Sequence, residues 1–160
     1  MRTNNSKVKN IIVSVYFILI VFAIFLATVF SAFSHLTSDP FLTFLLILAG
    51  FLILFLSVHA ISKYFEYDSD GVKVVVINKG LLLSDYFNYR EHLLEFDKSR
   101  LVAFKFKNYF IYKSLTLYIK NSKGHTKKEI FNVTLVTKKK RRYIRQSLSK
   151  MIKENIKPTN

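Results

Sequence analysis

The sequence predicts a membrane-anchored α+β protein: a two-helix transmembrane hairpin, a small antiparallel β-barrel, and a C-terminal amphipathic helix. Three observations lead there. Two long stretches are apolar and uncharged, and Lys and Arg crowd only their outer flanks. Beyond residue 62 the apolar residues alternate with a period of two, then take a helical period near the end of the chain.

In chain order, residues 1–10 form a basic N-terminus carrying Arg2, Lys7 and Lys9. Residues 11–33 contain no charge, and 16 of these 23 are Ile, Leu, Val or Phe. At about −0.3 to −0.6 kcal/mol apiece near a helix centre, those side chains favour insertion by up to about 5–10 kcal/mol. Residues 41–62 hold the second span, with 15 of the same four types among residues 41–61. Each stretch covers the roughly 20 residues needed to cross a hydrocarbon core. Neither shows the polar face of a soluble helix.

The basic start imitates a signal peptide. Its apolar stretch exceeds the roughly 7–15 residues of an h-region and no small-x-small site follows, so the span is expected to remain. The linker "SHLTSDP" (residues 34–40) has no Lys or Arg, whereas 3 precede the first span and 22 follow the second. The positive-inside rule therefore places both termini in the cytoplasm. In the second span, Gly50 is a weak marker of close helix approach because no small-xxx-small spacing accompanies it. His59 reads as a polar tip reaching the interface rather than a proton relay.

Residues 63–160 form the cytoplasmic domain. "KYFEYD" ends at the turn signal "DSDG", "VKVVVIN" at the turn signal "NKG", and "LLLSDYFN" follows. "HLLEFD" is a short strand or an irregular edge. "LVAFKFK" sets Val102, Phe104 and Phe106 against Ala103, Lys105 and Lys107. "LTLYIK" sets Leu115, Leu117 and Ile119 against Thr116, Tyr118 and Lys120, and "NSKG" turns the chain into "KKEIFNV". Short strands broken by Gly-containing turns indicate an antiparallel sandwich or barrel. Ile144, Leu148, Met151, Ile152 and Ile156 then make one apolar stripe of a helix, with Thr137 as N-cap and Pro158 as stop. The stripe is expected to close over the sheet, because a domain this small has one core.

Two N-terminal spans, a run of short strands and one terminal amphipathic helix resemble the bacterial pleckstrin-homology-like (PH-like) domain membrane proteins. "DSDGVKVVVINKGLLLSDYFNYR" and "KNYFIYKSLTLYI" look like strand-turn segments of their small two-span type. The resemblance implies a small β-barrel capped by the last helix, and residence in the bacterial inner membrane. It does not extend to a basic phosphoinositide signature, since the first hairpin carries Glu66, Asp68 and Asp70.

No catalytic constellation is legible. His35, His59, His92 and His125 are far apart, no HExxH or phosphate-binding Gly loop occurs, and cysteine is absent. Glu66, Asp68 and Asp70 fit acidic turn residues better than a calcium loop, which needs more oxygen ligands and a closing Glu. The expectation is a non-enzymatic protein without cofactor or metal. The formal net charge of +15 and the run "KKKRR" remain. Lys138, Lys139, Lys140, Arg141, Arg142 and Arg145 are the candidate contacts to an anionic surface. Five successive cations wrap round a helix, so they do not make one face. Beside a span, each adds about 1 kcal/mol of attraction to anionic lipid. The expected partners are the bilayer, its anionic headgroups, or a neighbouring membrane protein. Nucleic acid is the alternative, disfavoured because no recognised motif accompanies the run and topology already demands cytoplasmic charge.

Overall fold

The computed structural model describes residues 1–28, 39–81, 92–122 and 124–156. The chain divides into two compact units, one spanning Lys7–Ala60, the other joining Met1–Ser6 to Ile61–Asn160.

The first unit holds α1 (Lys9–Thr28) and α2 (Pro40–Ile61). Asp39 starts α2 by accepting a hydrogen bond from the Phe41 N–H at 2.9 Å. Both helices are long and apolar enough to cross a membrane. Apart from Ile12 and Tyr16, most of their large side chains are unburied: Phe17, Ile18, Phe41 and Ile53 are each more than 60% exposed. A core helix of a water-soluble domain would bury such residues. Tyr16 packs on Phe55 and Phe22 on Phe51, with ring centroids 4.9 and 6.0 Å apart, so the helices run antiparallel where they touch. A Cβ at Gly50 would meet nothing within 4 Å, so this glycine marks no close helix approach. Residues 29–38, which include the end of the first expected span and most of the linker, lie outside the described residues.

The second unit contains seven strands among the described residues: β1 (Arg2–Asn4), β2 (Lys63–Asp68), β3 (Lys73–Gly80), β4 (His92–Asp97), β5 (Leu101–Asn108), β6 (Lys113–Lys120) and β7 (Thr126–Asn132). They form two antiparallel sheets, β1-β2-β3-β4 and β5-β6-β7. The helix α3 (Lys138–Ile156) packs with them. One core joins all three layers. Phe65, Tyr67, Val74, Val76 and Phe96 come from the first sheet, and Leu101, Leu115, Leu117, Ile119 and Phe131 from the second. Ile144, Leu148 and Met151 come from α3.

The sheets do not close into the expected barrel. Between β4 and β5 a 3-10 turn at Lys98–Arg100 carries the chain from one sheet to the other without continuing the ladder. At another seam a side chain substitutes for backbone pairing. Asn78 on β3 donates to the carbonyls of Tyr64 and Asn132 at 2.9 and 3.1 Å and accepts from the Asn132 N–H at 3.0 Å.

The local expectations fare unevenly. "DSDG" is a turn, closed by the Asp70 N–H donating to the Asp68 carboxylate at 2.9 Å. "NSKG" is also a turn, with Gly124 at a φ of +80° that favours glycine. "NKG" is not a turn: β2 begins one residue after α2, and its pairing extends the ladder from Asp68↔Val75 to Lys63↔Gly80. The strand expected from "LLLSDYFN" falls, beyond Leu81, outside the described residues. "HLLEFD" is a regular strand. On β5 the register shifts between Leu101 and Ala103, and Val102 is 40% exposed instead of sharing the inner face of Phe104 and Phe106. On α3, Ile156 is 75% exposed because the helix outruns the core.

β1 is the element that periodicity does not indicate. Arg2, Thr3 and Asn4 pair with Asp68, Tyr67 and Glu66. Arg2 Nε also donates to the Glu66 carboxylate at 2.7 Å.

At the other edge, Glu129 on β7 receives His92 of β4 at 2.8 Å and Lys127 at 2.7 Å. Burial pushes the Glu129 carboxyl up, but hydrogen bonds and charge from Lys127 and His92 outweigh it and hold it below the usual range. A depressed carboxyl stabilises the fold above its unfolded pKa of about 4.3 and loses that contribution as pH falls through the folded value. Glu129→Gln should therefore flatten the acid limb of the domain's melting-temperature profile. An unchanged limb would exclude Glu129 as its source.

Candidate functional site

The site begins with how α3 is held. Thr137 caps it, its hydroxyl accepting from the Lys140 N–H at 3.4 Å and its carbonyl from the Arg141 N–H at 3.0 Å. At mid-helix, Ser147 lies 3.0 Å from the Tyr67 hydroxyl and 3.2 Å from that of Ser69. Burial raises the Tyr67 phenol, which therefore stays neutral. Near the C-terminus Asn155 donates to the carbonyls of Lys98 and Leu101 at 2.8 and 3.0 Å. With Ile144 and Leu148 fully buried, the helix has one rotational setting.

That setting sorts the basic run. Lys138, Arg141, Arg142 and Arg145, spaced i, i+3, i+4 and i+7, line a groove of about 650 Å³. Lys107 of β5 and Lys113 of β6 line it too, with Phe106 and the amides of Asn108 and Gln146. The groove is thus built from the helix N-terminal half and one β-hairpin. Lys139 is exposed and outside it. Lys140 is half-buried, and its ammonium donates to the carbonyl of Asn4 at the end of β1. Of the six expected contacts, four come together and two do not. Lys107 and Lys113 are the members that reading the run alone misses. They sit symmetrically on the hairpin sequence "KNYFIYK", the available signal for them.

The electrostatics are one-sided. Among the described residues no carboxylate lines the groove, and none of its six cations belongs to an ion pair. Three of them lie in the first two turns of α3, where the helix N-terminus already carries partial positive charge. Arg145 is steadied by its guanidinium stacking 5.3 Å from the Phe106 ring centroid. Guanidinium forks and ammonium groups facing one open groove, with neutral amides at its side, suit the oxygens of a phosphate or carboxylate. Among the described residues no three His, Asp or Glu side chains gather to hold a metal ion.

Compared with known proteins, the chain matches no family model, no curated protein and no solved structure.

Proposed function

We propose that this chain is a non-enzymatic, membrane-anchored module of PH-like type whose basic groove takes the phosphate headgroups of anionic lipids. The groove carries the reading: six cations converge there without a counter-charge among the described residues. Such a site has its charge ready for an external anion. At about 1 kcal/mol per cation near an anionic surface, six supply at most about 6 kcal/mol, a dissociation constant in the tens of micromolar. That is weak for a diffusing protein. It suffices for a domain that the chain joins to α2 through Ser62 alone, where the effective concentration of bilayer is on the order of millimolar.

The anchor is supported by exposure and by connectivity. Apolar side chains all round α1 and α2 call for an apolar solvent. The chain leaves the β domain after Ser6 and re-enters it at Ile61, so the intervening segment crosses a bilayer an even number of times, here twice. With 22 Lys and Arg following the second span, the domain side is the cytoplasmic side, and a bacterial inner membrane fits the resemblance.

The test uses a soluble version of the β domain in which Met1–Ser6 is joined by a flexible linker to Ile61–Asn160. It should float with vesicles rich in anionic lipid and ignore neutral ones, releasing as salt cuts the Debye length below about 10 Å. Changing Lys138, Arg141, Arg142 and Arg145 together to Gln should weaken binding by up to about a thousandfold. Lys139→Gln should cost far less, although it removes a charge from the same run. Equal binding by the fourfold variant would sink the reading. So would selection of one DNA sequence over others at physiological salt, or binding only when a membrane protein is present.

A further inference from the structure

We propose that the β5–β6 hairpin tip, Tyr109 to Tyr112, is a wedge that enters the boundary between headgroups and acyl chains of an anionic bilayer. The proposal rests on the groove reading for its electrostatic half and on separate observations for its apolar half. Tyr109, Phe110 and Ile111 are 53%, 102% and 61% exposed, so Phe110 touches almost nothing of its own domain. The turn is as tight as a hairpin allows, closed by the Tyr109 N–H donating to the Tyr112 carbonyl at 2.8 Å. Phe110 and Ile111 occupy its two corners, where short hairpins ordinarily use Asn or Gly. Phe110 there adds nothing to the core, and Ile111 is mostly exposed.

What they suit is a partner with an apolar interior and a polar, anionic rim. Tyr109 and Tyr112 flank the corner with ring centroids 6.2 Å apart, and tyrosine favours the membrane interface, its ring apolar and its hydroxyl wet. The next residues outward, Asn108 and Lys113, are groove residues, as is Lys107. Apolar tip and cationic groove are therefore continuous along one hairpin, the order in which a bilayer presents acyl chains and phosphates. Burying one Phe-sized side chain multiplies a partition constant roughly tenfold or more.

The absence of cysteine makes the test clean. Full-length protein carrying a single environment-sensitive label is reconstituted into anionic or neutral vesicles. The label is placed at Phe110→Cys in the tip, at Gln146→Cys in the groove, or at Val72→Cys in the β2–β3 turn, which is exposed and outside the groove. In anionic vesicles the tip label should shift to the blue, lose iodide access several-fold and be quenched by nitroxides on lipid acyl chains. The Val72 label should do none of these. A tip label that stays in water while the groove label senses lipid would overturn the wedge and leave the groove reading standing. A tip label quenched equally in neutral vesicles, with a silent groove label, would overturn the preference for an anionic bilayer together with the groove reading, and support only the apolar insertion of the tip. An apolar tip signal that no lipid nitroxide quenches and that grows with protein density would mean a second protein copy as occupant, which overturns the bilayer.

Discussion

Leu148→Asp is expected to abolish the folded β domain at ordinary temperature while α1 and α2 stay helical. Leu148 is fully buried, in a core cluster that both sheets and α3 share. An aspartate there meets no compensating cation among the core residues, and a buried carboxyl without partners costs several kcal/mol even when it takes up a proton and becomes neutral. A domain of ordinary stability holds about 5–15 kcal/mol in all, so the change consumes most of it. Two residues on, Lys150 is exposed and reaches Glu154 at 3.9 Å. Lys150→Asp loses that surface pair and should cost no more than about 1 kcal/mol. Tyrosine near-UV dichroism of the full-length protein in micelles reports the domain, since backbone signals are dominated by the spans. If the two variants melted together, α3 would not be a core element.

The contrast between these neighbours is also the contrast between what the sequence discloses and what it hides. The stripe Ile144, Leu148, Met151 is local information, set by the helical period, and the structure buries all three. The two long apolar helices are legible for the same reason: long uniform composition needs no partner to be read. β6 is legible because Leu115, Leu117 and Ile119 alternate without interruption, and all three are buried. Failures appear where a distant residue decides. Val102 follows the alternation, yet a register shift against Ile119 and Tyr118 leaves it exposed. Asn78 and Gly80 spell a turn, but β2, anchored at its start by the end of α2, pairs straight through them.

The candidate site divides in the same way. That the run from Lys138 to Arg142 is cationic needs no structure. That Arg141 joins the groove while Lys140 turns to Asn4 depends on how the buried stripe fixes the helix. That Lys107 and Lys113 join them depends on how the β5–β6 hairpin lies beside α3, which the sequence "KNYFIYK" hints at but does not settle.

β1 is the extreme case, a three-residue strand whose partners lie more than 60 positions away. It leads to the second large effect, that of Asn5→Leu. Asn5 is 2% exposed and acts as one more rung of the sheet. Its side-chain oxygen accepts from the Phe65 N–H at 2.8 Å, and its amide donates to the Lys63 carbonyl at 2.9 Å. Leucine matches the volume but removes the acceptor of the buried Phe65 N–H, at about 1–3 kcal/mol, and one donor to the half-buried Lys63 carbonyl, so a loss of roughly 2–4 kcal/mol is expected. Asn4→Ala next door removes only the exposed bonds to Ser6 and should be nearly neutral. The loss should also be local. In the parent, the Phe65 amide is protected through Asn5, so in Asn5→Leu it should exchange with deuterium orders of magnitude faster, while the amides of Leu115 and Leu117 on β6 change far less. Unchanged protection at Phe65 would mean that β1 is not held through Asn5. Faster exchange there, with β6 intact, would show that the Asn5 side chain is one of the contacts, beside the β1–β2 ladder, that hold the strand preceding α1 to the strand following α2. Residues on both sides of the two long apolar helices thus share one sheet, the connectivity on which the proposed even number of crossings rests.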